Sequence, residues 1–135
     1  MLPRLGGALG PLLLAAARGR LPDSATRATA TPGAAVGIVL AAKGYPGDPK
    51  RGHPITGLAD AKARGALVFH AGTIRRPQGG YGTNGGRVLT VVGRGPTLEA
   101  ARAEAEAASE LVTWDGQQRR HDIAADAPLP AGAAA

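Results

Sequence analysis

Apolar residues near the start of the chain recur at helical spacing. Leu5, Leu9, Leu12, Leu13 and Ala16 fall on one face, which predicts a helix over Leu2–Arg18, or two half-helices broken near Gly10–Pro11. Arg18 sits in the last turn and Gly19 is a natural stop. From Pro22 to Gly33 the periodicity disappears into Ser, Thr, Ala and Pro, the composition of a surface connector. The run "AAVGIVLAA", Ala34–Ala42, is short, apolar and rich in β-branched residues, and so predicts a buried strand.

Glycines and prolines in "KGYPGDPKRGHP" rule out regular structure there, and Leu58–Ala63 predicts a helical turn. "ALVFHAGT" predicts a second strand and "YGTNGGRVLTVVG" a third, with a turn or bulge at its glycines. The link "IRRPQGG" is short enough for antiparallel pairing.

After Pro96 the amphipathic pattern is clear. Leu98, Ala101, Ala105, Ala108 and Val112 form one narrow stripe that Glu99, Arg102, Glu106 and Glu110 avoid, and Thr97 is placed to cap the helix. Alanines on that stripe allow the helix to lie close to a sheet. The expected class is α+β, a small antiparallel sheet of about three or four strands with packed helices. The expected organisation is a helical segment over 1–21, a linker over 22–33, a domain over 34–123 and a disordered low-complexity tail over 124–135. The apolar face of the first helix lies across a polar linker from the sheet, which suggests a chain that packs against something larger.

Length and charge narrow the function classes. The 135 residues suffice for one small domain and contain no apolar stretch of the roughly 18 residues a membrane span needs. The start superficially resembles an export signal, but Gly6, Gly7, Gly10 and Pro11 interrupt it, and a short amphipathic helix fits better. The absence of cysteine excludes disulfides and thiolate chemistry and accords with a cytoplasmic protein. The net charge of +6 suits an anionic partner, yet the basic residues are scattered and only four aromatic residues are available for base stacking. Nucleic acid is therefore a poor fit, and small phosphorylated metabolites a better one.

Catalytic constellations are scarce. His53, His70 and His121 have no partner at metal-ligand spacing, and no glycine loop ending in Lys-Ser/Thr is present. Two glycine-bearing segments remain. In "AAKGYPGDPKRG", Lys43, Gly44 and Tyr45 follow a strand and could face a ligand. In "TNGGRVL", Asn84, Gly85 and Gly86 precede Arg87, whose planar fork suits a phosphate. Each is equally readable as a tight turn with a solvated basic residue, and the residues alone favour the turn.

Taken in order, "LPRL…LLLAAARGRL", "AVGIVLAAKGYPGDPKRGHPITGL", "VFHAGT", "TNGGRVLTVVGRGPTLEAARAEAEAA" and "RRHDI" resemble the C-terminal domain of the phosphoribosylamine–glycine ligases, which are ATP-grasp enzymes. The resemblance spans Leu2 to Ile123. It implies a purine-biosynthesis ligase that uses ATP and magnesium to join glycine to 5-phosphoribosylamine through an acyl phosphate. It also implies that Arg87 and its glycines hold the sugar phosphate, with the Lys43–Tyr45 loop nearby.

In that family a segment like E-x-N-x-R-x-G-D-P-E holds magnesium just before the "LPRL" helix, whereas Met1 here stands at that helix. The expectation is therefore a fragment without the ATP-grasp lobes, inactive alone and with neither metal nor cofactor held in this chain. Its ligand would be 5-phosphoribosylamine or glycinamide ribonucleotide. The alternatives are a non-catalytic sugar-phosphate-binding module, or half of a split enzyme whose ATP-grasp lobes a separate polypeptide carries. The family's terminal R-R/K-D-I-G is replaced by "RRHDIAADAPLP", with His121 inserted and the glycine lost, which puts this segment in doubt.

Overall fold

A computed structural model describes residues 2–7, 9–21 and 29–125. Most of the expected connector, 22–28, and most of the expected tail, 126–135, lie outside the described residues. A 3-10 turn at Leu2–Arg4 opens the chain, followed by β1 (Leu5–Gly6), α1 (Leu9–Ala17), β2 (Thr29–Ala30) and β3 (Ala34–Ala41). Then come β4 (Pro54–Ile55), α2 (Leu58–Ala63), β5 (Leu67–His70), β6 (Thr73–Arg75), β7 (Tyr81–Thr83), β8 (Arg87–Gly95) and α3 (Leu98–Leu111).

The class is α+β and every strand pair is antiparallel. The strands divide between two three-stranded sheets, β3-β8-β5 and β4-β7-β6, with β1-β2 as a separate ribbon. The division occurs inside two stretches that each read as one strand. "VFHAGT" turns at Ala71–Gly72 and "YGTNGGRVL" at Asn84–Gly86, so each stretch contributes to both sheets.

In the first sheet β8 is central, and its register sets Ile38 opposite Val91 and Leu40 opposite Leu89. These four side chains are buried and pack with Ala101, Ala105, Ala108 and Val112 of the last helical stretch. Alternation along β3 leaves Gly37 and Val39 on the face turned away from α3. Thr97 caps α3 as its sequence predicts, its hydroxyl accepting from the Ala100 amide at 3.1 Å.

Glycine makes the close approach of α3 possible. A Cβ on Gly93 would overlap the backbone of Ala101 and Ala105, and one on Gly95 would lie 2.7 Å from the Ala101 nitrogen. The helix thus rests on strand backbone, and the alanine stripe is its matching surface.

The N-terminal segment departs from expectation. Leu2–Arg18 is neither one helix nor two half-helices meeting at Gly10–Pro11. Gly10 and Pro11 lie inside the first turn of α1, where Pro11 lacks only an amide that would have no intrahelical acceptor. The interruption comes earlier, where Leu5–Gly6 pairs with Thr29–Ala30, so the connector ends in a strand. No residue of α1 is buried, and Leu13 and Leu14 are 60% and 51% exposed. The start of the expected tail also differs: Ala124 is half-buried and packs with Ile123 against the core.

Substituting Gly93 with Ala forces α3 off the sheet and is expected to cost about 2–3 kcal/mol, the usual range for an overpacked core. Urea unfolding of the two proteins, followed by circular dichroism, measures the difference. An unchanged midpoint would show that the helix does not rest on this glycine.

Candidate functional site

The pairing of β3 with β8 is regular from Ala34 to Leu40 and then slips. Leu40 opposes Leu89, but Ala41 opposes Arg87, leaving Val88 as the extra residue of a bulge. Val88 and Leu89 are consequently both buried, although they are adjacent. Without the bulge Val88 would oppose Ala41 and Arg87 would point into the core. With it, Arg87 shares the face of Ala41, away from α3. The chain bends at the glycines, and the bulge lies beyond Arg87, at Val88, where it aims the arginine.

The glycines before Arg87 serve close packing of backbone. A Cβ on Gly72 would lie 2.9 Å from the Gly85 Cα, and one on Gly86 would lie 2.6 Å from Cδ2 of Tyr45. Hydrogen bonds lock the approach. The Gly72 amide donates to the Arg87 carbonyl at 2.9 Å, Asn84 N to the Gly72 carbonyl at 2.8 Å, and Ala42 N to the Gly86 carbonyl at 2.8 Å. The strings "GYPGD", "FHAGT" and "NGGRVL" thus meet in one cluster, the first through the Tyr45 ring and the other two through backbone.

Beside this cluster opens a cleft of about 480 Å³. Gly37, Val39 and Ala41 of β3 form one wall, Tyr45 and Arg87 a second, and Gln118, Arg119, Arg120 and Ile123 a third. Of the seven residues the sequence singles out, Tyr45 and Arg87 line it. Gly44, Asn84, Gly85 and Gly86 shape the loops behind them, and Lys43 lies elsewhere, its aliphatic stem packed close over Gly116.

Gln118, Arg119 and Arg120 carry no ligand role in the sequence reading, although "RRHDI" already shows a basic pair. They reach the cleft because Ala41 and Gln118 exchange backbone hydrogen bonds, both at 2.8 Å, which lays the returning chain on the edge of β3. Arg102 of α3 then fastens that segment, donating to the carbonyls of Ile123 at 3.0 Å and His121 at 2.7 Å. The divergent terminal segment is in this way a packed wall of the site.

Counter-charges sort the three arginines. Arg119 is 3.4 Å from Glu106 and 3.5 Å from Glu110, and His121 also approaches Glu106 at 3.5 Å. Arg120 grips Asp122 with two hydrogen bonds, one from Nε at 2.8 Å. Those bonds hold the Asp122 carboxyl at about 2, below its ordinary 3.8. Arg87 is exposed and makes no side-chain hydrogen bond or ion pair with any described residue.

The other histidines stand apart from the cleft. His53 lies 3.7 Å from Asp115, and the His70 ring lies against Tyr81, tilted by 42° with ring centroids 4.3 Å apart. Burial, and secondarily the charge of Lys62, holds His70 below its ordinary 6.5. Among the described residues no three His, Asp or Glu side chains come together as a metal ion would require.

The family model described as "Phosphoribosylglycinamide synthetase, C domain" matches residues 35–126. The phosphoribosylamine–glycine ligase of Neisseria meningitidis serogroup A is 48% identical over 124 residues, covering 92% of this chain and 29% of the relative. The chloroplastic phosphoribosylamine–glycine ligase of Arabidopsis thaliana is 39% identical over 91% of this chain and 23% of the relative. The crystal structure of phosphoribosylamine–glycine ligase from Thermotoga maritima superposes with a TM-score of 0.70 at 37% identity. It covers 83% of this chain and 26% of that one. The chain thus spans less than a third of the length of these relatives.

The Arg120–Asp122 pair generates a pH signature. A carboxyl depressed on folding contributes stability that is present above its unfolded value and lost as pH falls toward the folded one. The window here runs from 3.8 down to about 2. Carbon-detected NMR titration is expected to show Asp122 titrating near 2, and Arg120→Ala to return it toward 3.8. An Asp122 that titrates identically in both proteins would mean that the pair does not form in solution.

Proposed function

This chain belongs to the phosphoribosylglycinamide synthetase C-domain family, and from that premise we propose that it supplies the sugar-phosphate end of a phosphoribosylamine–glycine ligase. The reaction joins glycine to 5-phosphoribosylamine. The glycine carboxylate takes the terminal phosphoryl group of ATP to give an acyl phosphate and ADP. The sugar amine then attacks the acyl carbon and releases phosphate, leaving glycinamide ribonucleotide.

Arg87 carries this reading. It is a guanidinium aimed by a bulge into an open cleft, with no counter-charge among the described residues. Its fork matches two oxygens of a phosphate monoester, and a charge-assisted pair of this kind is the strong sort of hydrogen bond. Tyr45 walls the ribose side, while Arg119 and Arg120 add positive potential whose reach Glu106, Glu110 and Asp122 limit. Backbone packing fixes the loops beneath, so little ordering is left for the ligand to impose.

Magnesium and the nucleotide do not fit the residues at hand. No cluster of carboxylates is available among the described residues to bind the ion, and no phosphate-cradling loop ends in Lys-Ser/Thr. Those groups belong, on this reading, to ATP-grasp lobes outside these 135 residues, with which the domain would be partnered. Exposed Leu13 and Leu14 on α1 support such a partner, because an apolar helix with no buried side chain is a surface awaiting cover. A cytoplasmic location accompanies the proposal; no helix among the described residues is long and apolar enough to cross a membrane.

Calorimetry with glycinamide ribonucleotide tests the assignment. The 135-residue chain is expected to bind it, and Arg87→Ala to weaken binding about tenfold or more, the worth of one lost charge-assisted pair. Unchanged affinity would refute the role of Arg87. The chain alone is expected to release no phosphate from ATP with glycine and phosphoribosylamine, and to do so only when mixed with the lobes; turnover by the pure chain would overturn the division of labour.

A further inference from the structure

We infer that a second anion site, for a phosphoryl group, lies at the opposite end of β8 from Arg87. The strand runs from Arg87 to Gly95, and its rise separates the two ends by roughly 25 Å. At the far end Arg94 opposes Ala35 and borders an open cleft of about 810 Å³, which Arg4, Thr31, Arg64 and Glu104 also line.

The charges in this cleft do not balance. Arg64 Nε lies 3.0 Å from Glu104 Oε1, so the charge of the only carboxylate among the described lining residues is countered, although that buried oxygen accepts no hydrogen bond from a described residue. Arg4 is held in place from two directions. Its Nη2 donates to the Thr31 carbonyl at 3.0 Å, and the Thr31 hydroxyl donates back to the Arg4 carbonyl at 3.0 Å. Arg4 Nε, however, is sealed from solvent without an acceptor among the described residues. Arg94 is exposed and makes no side-chain hydrogen bond or ion pair with a described residue.

Three guanidiniums and one carboxylate leave an excess of two positive charges in the cleft. Like charges repel, so an anion entering the cleft relieves the excess. A phosphoryl dianion supplies two negative charges in one group, where a lone carboxylate supplies one, and its oxygens accept from several guanidinium N–H donors at once. The cleft is larger than a phosphate ion, so the ligand class is a phosphorylated small molecule. Its polypeptide rival is a run of acidic side chains. Nothing in this site draws on Arg87, and it stands whether or not the first cleft holds a ribose phosphate.

Amide NMR of the full chain titrated with pyrophosphate tests it. The amides of Thr31, Gly33 and Gly95 are expected to shift, and Arg94→Ala to weaken that response about tenfold, in line with the loss of a charge-assisted bond. Arg87→Ala leaves it unchanged. Because Arg94 has no side-chain partner among the described residues, Arg94→Ala is expected to keep the thermal midpoint of the parent, so a lost response reports binding. Amides that stay still at saturating pyrophosphate overturn the site, as does an Arg94→Ala response equal to the parent's. An equal response to polyglutamate overturns the choice of ligand, marking an acidic-polypeptide surface instead.

Discussion

The backbone of α3 lies directly on the backbone of β8, with Gly93 and Gly95 below and Ala101 and Ala105 above. Bulk on either surface would lift the helix and open the core between Ile38, Leu40, Leu89 and Val91. Much of the remaining architecture is referred to this contact. The helix carries Arg102, which fastens the carbonyls of His121 and Ile123, and it carries Glu106 and Glu110, which draw in Arg119. The distance between Arg87 on the sheet and the arginines of the terminal segment is therefore set by how closely one helix rests on one strand.

Within that frame a single extra residue orients the site. Strand alternation gives each position one of two faces, and a bulge exchanges them for everything beyond it. Val88 is the residue that does this, placing two consecutive apolar side chains in the core and turning Arg87 outward. The approach of Gly72 to Gly85, and of Tyr45 to Gly86, then leaves the loops around Arg87 little room to move. The backbone beneath Arg87 is thereby fixed and its guanidinium is unpaired among the described residues, while its neighbours Arg119 and Arg120 are already matched by carboxylates.

The face of the first sheet opposite α3 is as informative as the core. Val39 and Phe69 are 40% and 47% exposed there, and Arg87 and Arg94 stand at its two ends. Basic ends flanking an apolar middle make a surface suited to anionic ligands at its margins and to apolar cover between them. Leucines of α1 extend the same unmet demand for burial.

Local pattern determined what depends on neighbours a few positions apart. The alanine stripe and Thr97 cap of α3, the strand at Ala34–Ala41 and the turn of helix at Leu58–Ala63 were legible because helical and extended periodicities are written in adjacent residues. The resemblance carried Arg87 and Tyr45, and both line the cleft; it also carried Lys43, which packs over Gly116 instead. Tertiary structure alone decided the rest. The division of two apparent strands between two sheets follows from backbone meetings such as Gly72 with Gly85, which no periodicity records. Gln118, Arg119 and Arg120 join Arg87 across some thirty residues of chain only because Gln118 bonds the edge of β3 at Ala41. Which arginine stays free for a ligand depends on where the carboxylates come to rest, and that is a property of the folded chain.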